Sequence, residues 1–159
     1  MIIREAGGSD LCRLLELEQC VVEAERPFNS SLKSESAFYY DIEKLISSPD
    51  AYLLVAEVEG EIIGTGYAQI RESKQSLEHK YHSYLGFMYV SPIHRGKGIN
   101  AKLIHELIAW SKSRGISDLY LDVYSDNASG IKAYKKVGFK PSLLEMKLSL
   151  NKASRTVDG

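Results

Sequence analysis

The chain has 159 residues, 44% of them hydrophobic, which allows one sizeable core and leaves little length for a second domain. Its 20 basic and 21 acidic residues leave a formal net charge of -1, so no bulk pull toward nucleic acid or an anionic membrane is expected, and any anion site must be local. Cys12 and Cys20 fall on one expected helix, roughly 12 Å apart, which excludes a disulfide between them. No signal-like start precedes them, and no apolar run approaches the roughly 20 residues that span a bilayer, so a cytoplasmic protein is expected.

Ile2–Glu5 reads as a short strand, after which Ser9 caps a helix carrying Leu11, Leu14, Leu15 and Val22 at helical spacing. Residues 27–31 break that pattern. Ser34 then opens a second expected helix, with Phe38, Ile42, Leu45 and Ile46 on one side and Ser48-Pro49-Asp50 as its stop. Residues 52–58 and 62–70 are rich in β-branched and aromatic side chains, and Glu59-Gly60 between them signals a hairpin. A polar turn at 72–80 leads to the apolar run 84–90, the pattern of a strand covered on both faces.

Ile99, Leu103, Leu107, Ile108 and Trp110 mark a helix ending near Gly115. A strand at 119–124, a helix at 127–136 closed by Gly138, and a strand at 143–150 complete the order βααβββαβαβ. One domain over residues 1–150 with a polar tail at 151–159 is expected. Helices alternate with strands in the second half and a hairpin sits in the first, so the sheet should be mixed.

The segment His94-Arg95-Gly96-Lys97-Gly98 joins the apolar strand to an amphipathic helix. Two glycines let successive backbone N–H groups close on a phosphate, and the helix start adds the favourable end of its dipole. A plain strand-to-helix turn would also use two glycines. Gly96-Lys97-Gly98-Ile99-Asn100-Ala101 fits the dinucleotide fingerprint as well, with Asp118 beyond it, but Ser91 to Arg95 intervene after Val90 where that fold needs an immediate turn. Too little chain follows for the further βα units of an NAD enzyme, which stays a remote alternative. A nucleotide-hydrolysing P-loop fails because Gly98 stands where Ser or Thr should follow the lysine.

From residue 84 to residue 139 the sequence resembles the GNAT superfamily of N-acetyltransferases. Arg95-Gly96-Lys97-Gly98-Ile99-Asn100 is similar to the family's phosphate motif Q/R-x-x-G-x-G/A, preceded by Phe87-Met88-Tyr89-Val90. The segment from Asn127 to Tyr134, with the ending Lys135-Lys136-Val137-Gly138-Phe139, is similar to its later motif. Asn100 departs from the small residue usual at that position. The resemblance implies a GNAT-like three-layer α/β (α+β) fold with a mixed, mostly antiparallel sheet of six to seven strands and about four helices. It implies acetyl-CoA as cosubstrate, held by the backbone of Met88, Tyr89 and Val90, by the loop from Arg95 to Asn100, and by Asn127. Asn127 is an equally good helix N-cap. The oligomeric state is left open, although a homodimer is common among similar proteins.

Transfer needs a proton for the departing thiolate, and the resemblance assigns Tyr134, protonated at neutral pH, as the acid. Tyr134 also sits at helical spacing from Ile131, as a core residue would. The acceptor amine must first be neutral, which costs roughly 4 to 5 kcal/mol for a lysine-like amine at pH 7 and about 1 kcal/mol for an α-amine. Some members of the family carry a carboxylate for this on the strand before the phosphate loop, but residues 84–90 contain none. Glu25, Asp122 and a water relay are the candidate bases. Direct transfer is expected, because neither cysteine falls near the expected site. His79, His82, His94 and His105 show no metal-ligand spacing, and no metal is expected. The expected function is N-acetylation of an amine, and a non-catalytic acyl-CoA-binding or sensory protein is the alternative.

Overall fold

The turn at Glu59-Gly60 organises the sheet. Both residues have positive φ, 51° and 79°, the two-residue hairpin geometry whose twist matches the flanking strands. It joins β2 (Ala51–Val58) to β3 (Glu61–Glu72). The computed structural model describes residues 1–151, and in it these strands lie at the middle of a five-stranded sheet of order β1-β2-β3-β4-β5. The others are β1 (Ile2–Glu5), β4 (Tyr81–Val90) and β5 (Leu119–Tyr120). Neighbours are antiparallel except β4 and β5, which run parallel.

The chain divides into two compact units, Met1–Asp122 and Val123–Gly159. In the first, α1 (Leu11–Glu25) and α2 (Ile42–Ser47) pack on one sheet face, where Leu14, Leu17, Val21, Ile42 and Leu45 join Leu53, Val55, Tyr67 and Phe87 in a buried cluster. The other face takes α3 (Ile99–Ser113) through Leu103, Ile104 and Leu107. Gly66 makes room for Met88, whose Sδ would lie 2.7 Å from a Cβ there, while Leu103 and Leu107 of the helix pack at ordinary van der Waals distance from the Gly64 and Gly66 positions. Helix, sheet and helix thus form the three expected layers. The second unit carries α4 (Ala128–Val137), ended by Gly138 at φ 122°.

Three expectations change. The helix expected from Ser34 starts only at Ile42, where the Asp41 carboxylate accepts the Lys44 N–H at 3.1 Å. The preceding stretch is held otherwise. The Tyr39 and Tyr40 N–H groups donate to Glu18 Oε2 at 2.7 and 2.8 Å, removing the donors a helix would use, and Ser36 has φ 57°. The strand expected at 119–124 shortens to Leu119–Tyr120. The apolar positions of 143–150 join no ladder among the described residues, and Leu143, Met146 and Leu148 are exposed. Alternation selects which face of a strand is buried but does not supply its pairing partner. Among the described residues the sheet therefore has five strands rather than six or seven, while the fold class stands. Of the expected tail, residues 152–159 lie outside the described residues.

Candidate active site

Between Thr65 and Tyr67 the β3–β4 register slips. Tyr67 pairs with Gly86 and Thr65 with Tyr89, so Phe87 and Met88 together oppose Gly66. This bulge puts Phe87 at φ 53°, a conformation that costs energy for any residue with a Cβ. Three contacts hold it. The Thr65 hydroxyl donates to the Phe87 carbonyl at 2.7 Å in a fully buried bond. The Phe87 ring stacks on Tyr40 with centroids 4.6 Å apart. Gly86 admits the Tyr67 phenol, whose oxygen would lie 2.5 Å from a Cβ at that position.

The bulge coincides with an opened sheet edge. The parallel ladder of β4 with β5 contains Ser83↔Leu119 and Tyr84↔Tyr120 and then stops, so beyond Tyr84 the edge of β4, including Met88, Tyr89 and Val90, has no β5 partner. Such an edge accepts an extended ligand carrying amides, as it would accept another strand.

The strand then turns through Pro92–His94, a single 3₁₀ turn, into the glycine loop. Gly96 and Gly98 have φ 79° and 78°, the left-handed region that glycine enters without steric cost. Gly98 begins α3 with no side-chain cap, leaving the first-turn N–H groups available to an anion. Arg95 has a role that its position in the motif does not convey: its Nε donates to the Val90 carbonyl at 2.7 Å and its guanidinium lies 5.3 Å from the Tyr89 ring centre, tying the loop to the strand end. Lys97 is exposed, Ile99 is buried at the helix start, and the Asn100 amide oxygen is buried without a partner among the described residues.

Beside the bulge lies a face of tyrosines and charges. Tyr40 meets Tyr67 at 5.9 Å and Tyr67 meets Tyr84 at 6.5 Å between ring centroids. The Tyr84 hydroxyl donates to Asp122 Oδ2 at 2.9 Å. Burial, together with the Asp122 carboxylate, pushes the Tyr84 phenol above its ordinary range, and burial does the same to Tyr40 and Tyr67, so all three are protonated at neutral pH. Glu25, half-buried at the end of α1, has its carboxyl pushed up by burial, partly offset by the Tyr39 hydroxyl. Its negative charge in turn contributes to the rise at Tyr40. Both base candidates thus border this tyrosine cluster, Glu25 beside Tyr40 and Asp122 beside Tyr84.

Sequence reasoning missed Glu18, fully buried on α1, which fixes the backbone of Tyr39 and Tyr40. Burial, and after it the neighbouring Cys20 thiol, push the Tyr89 phenol above its ordinary range. The turn after β3 brings two histidines together, with Ser73 Oγ 2.7 Å from His79 Nδ1 and 2.9 Å from His82 Nδ1. No group of three or more His, Cys, Asp or Glu forms a metal cluster among the described residues.

In the second unit, Asn127 is the N-cap of α4, its Oδ1 accepting the Gly130 N–H at 3.0 Å. Tyr134 lies on the same helix, half-buried against Phe139 with ring centroids 6.1 Å apart. Lys132, Lys135 and Lys136 line a shallow basin there with Ala128 and Ile131.

A mixed sheet split at one edge, bulged at the split and followed by an uncapped helix behind a glycine turn defines an α/β protein suited to an extended, phosphate-bearing ligand. The chain belongs to the acetyltransferase (GNAT) family, whose model matches residues 17–139. It is similar to the thialysine N-epsilon-acetyltransferase of Bos taurus, 31% identical over 144 residues, 87% of this chain and 83% of that protein. An uncharacterised N-acetyltransferase of Bacillus subtilis is 35% identical over 57 residues, covering 36% of this chain but only 23% of that protein's length. Among solved structures, a predicted acetyltransferase of Clostridium acetobutylicum with acetyl-CoA has a TM-score of 0.73 at 22% identity, covering 94% of this chain and 96% of that one. No helix among the described residues is long and apolar enough to cross a membrane.

Proposed function

We propose that this protein acetylates a primary amine directly from acetyl-CoA, within a single acetyltransferase domain spanning residues 1–150. The observation that carries the reading is the opened edge of β4 at the Phe87 bulge, continuous with the Gly96 and Gly98 turn. Backbone groups of Met88, Tyr89 and Val90 match the two amides of a pantetheine arm. The loop from Arg95 to Asn100 supplies N–H groups and positive charge to its pyrophosphate. Asn127 is the further contact suggested by the motif.

When bound, acetyl-CoA supplies a thioester that an uncharged amine can attack. Glu25 takes the proton from the ammonium, because burial has raised its affinity for a proton toward that of an amine. Asp122 is the second candidate. The amine nitrogen bonds to the acetyl carbon, the carbon–sulfur bond breaks, Tyr134 gives its proton to the leaving sulfur, and the proton shed by the new amide nitrogen passes through solvent to restore Tyr134. Cys12 and Cys20 are exposed on α1 and neither is among the residues assigned to the cosubstrate, which favours direct transfer over an acetylated cysteine.

The test is free-thiol release from acetyl-CoA with a panel of amino acids, polyamines, aminoglycosides and peptides, comparing the parent protein with Tyr134→Phe. Turnover that falls about 10²- to 10⁴-fold in the variant supports the assignment. Binding of coenzyme A without turnover on any amine would favour the sensory alternative, and equal turnover in Tyr134→Phe would remove that residue as the acid.

A further inference from the structure

Arg71 adds a cation to the tyrosine face. Register places it there. Tyr67, Gln69 and Arg71 alternate on β3 opposite Gly86, Tyr84 and His82 on β4, so all six occupy one face of the sheet. The guanidinium is fixed from two directions: Nε donates to Gln69 Oε1 at 2.9 Å, and Cζ stands 4.0 Å above the Tyr84 ring centre. Its charge also acts on the Tyr67 phenol, opposing the upward push of burial there, and that phenol covers Gly86 immediately before the bulge. None of the six ion pairs among the described residues includes Arg71.

An arginine held at Nε and stacked on a ring presents its Nη pair as a preorganised fork, and the planar ligand that such a fork matches is a carboxylate. The same face offers Glu25 and Asp122 to an ammonium group. The tyrosine face thus carries opposite charges for both ends of a zwitterion. A diamine would set its second cation against Arg71.

We infer that Arg71 is the carboxylate clamp of the acceptor site and that the acceptor is a small aminocarboxylate, an amino acid or a close analogue. The inference rests on the acetyl-transfer reading above and names the substrate class within it. Thiol release from acetyl-CoA is measured with L-methionine, L-lysine and L-phenylalanine, and with their decarboxylated counterparts methylthiopropylamine, cadaverine and phenethylamine. The expected result is a kcat/KM about 10- to 100-fold higher for at least one amino acid than for its counterpart, the scale of one charge-assisted bidentate contact. In Arg71→Gln that ratio should fall to near one through a rise in KM for the amino acid, and Arg71→Lys should restore it in part.

Counterparts used as well as the amino acids by the parent protein would overturn the clamp while leaving amine acetylation standing. So would an Arg71→Gln variant that loses activity on both series equally. Failure of all six compounds beside thiol release with an aminoglycoside, a peptide or another polyamine would overturn the clamp alone, and failure on those as well would overturn both readings.

Discussion

Thr65 shows how much of the site depends on single buried atoms. It is completely buried, and its hydroxyl satisfies the Phe87 carbonyl inside the bulge. Thr65→Val keeps the side-chain shape and removes the donor, leaving a buried carbonyl unpaired at a cost of about 1–3 kcal/mol. The denaturation midpoint should fall, and the KM for acetyl-CoA should rise as Phe87 relaxes from its positive φ; a lost hydrogen bond without a role in the bulge would leave KM where it was. Glu25 makes the opposite trade. Its folded-state pKa is raised, so its contribution to stability is present below the ordinary carboxylate value and is lost as pH rises through the raised one. Glu25→Gln should therefore melt no lower than the parent at neutral pH while kcat/KM drops about 10²- to 10⁴-fold. In the parent, the acid limb of the pH–rate profile should lie above the ordinary value of 4.5. A lower melting temperature with unchanged activity would make Glu25 a structural residue.

At the scale of elements, the stretch between α1 and α2 depends on Glu18. Its Oε2 receives two backbone N–H groups while Oε1 is buried without a partner among the described residues. Glu18→Ala strands both donors at a cost of roughly 2–5 kcal/mol and frees the Tyr40 ring from Phe87, so transfer should weaken along with stability. Glu18→Gln retains one acceptor oxygen for the same two donors and should recover most of both; thermal melts and acetyl-transfer rates on the two variants check this. Glu18 also explains why sequence reading failed here. Phe38, Ile42, Leu45 and Ile46 carry a helical spacing, but the N–H groups of Tyr39 and Tyr40 are taken by a carboxylate about twenty positions earlier, and local periodicity cannot report a partner so distant. The strands and the glycine loop were legible because their signals are local: alternation, the Glu59-Gly60 turn, two glycines before a helix. The bulge had a local sign as well, in Gly66 and Gly86 placed inside strands, a pattern that marks bulges and close backbone approaches. Arg71 carried no such sign, since its meaning comes from β3–β4 register and a ring on the neighbouring strand.

At the scale of the whole molecule, the shifted groups set a stability profile that should descend in two steps as pH falls. Burial and the nearby charges of His79 and Arg71 hold His82 below its ordinary value of 6.5, so its contribution is complete above that pH and is lost on the acid side. Asp10 is held below 3.8 chiefly by the Arg4 guanidinium, which it meets at 2.9 Å while Arg4 also pairs with Glu57, joining β1, β2 and the start of α1. Its contribution persists through the His82 window and disappears only as pH falls through the depressed value. Glu25 works in the other direction and trims stability as it ionises. The melting temperature should thus be nearly level from about pH 7 to about pH 8, decline below 6.5, and decline again below 3.8. His82→Asn should remove the first descent without altering the second. Arg4→Gln should lower the plateau and flatten the second, because the carboxylate then loses the cation that favours its ionised form. Calorimetric melts across that range on the three proteins decide the matter, and a single unbroken decline shared by all three would show that neither His82 nor the Arg4–Asp10 pair governs how the fold responds to acid.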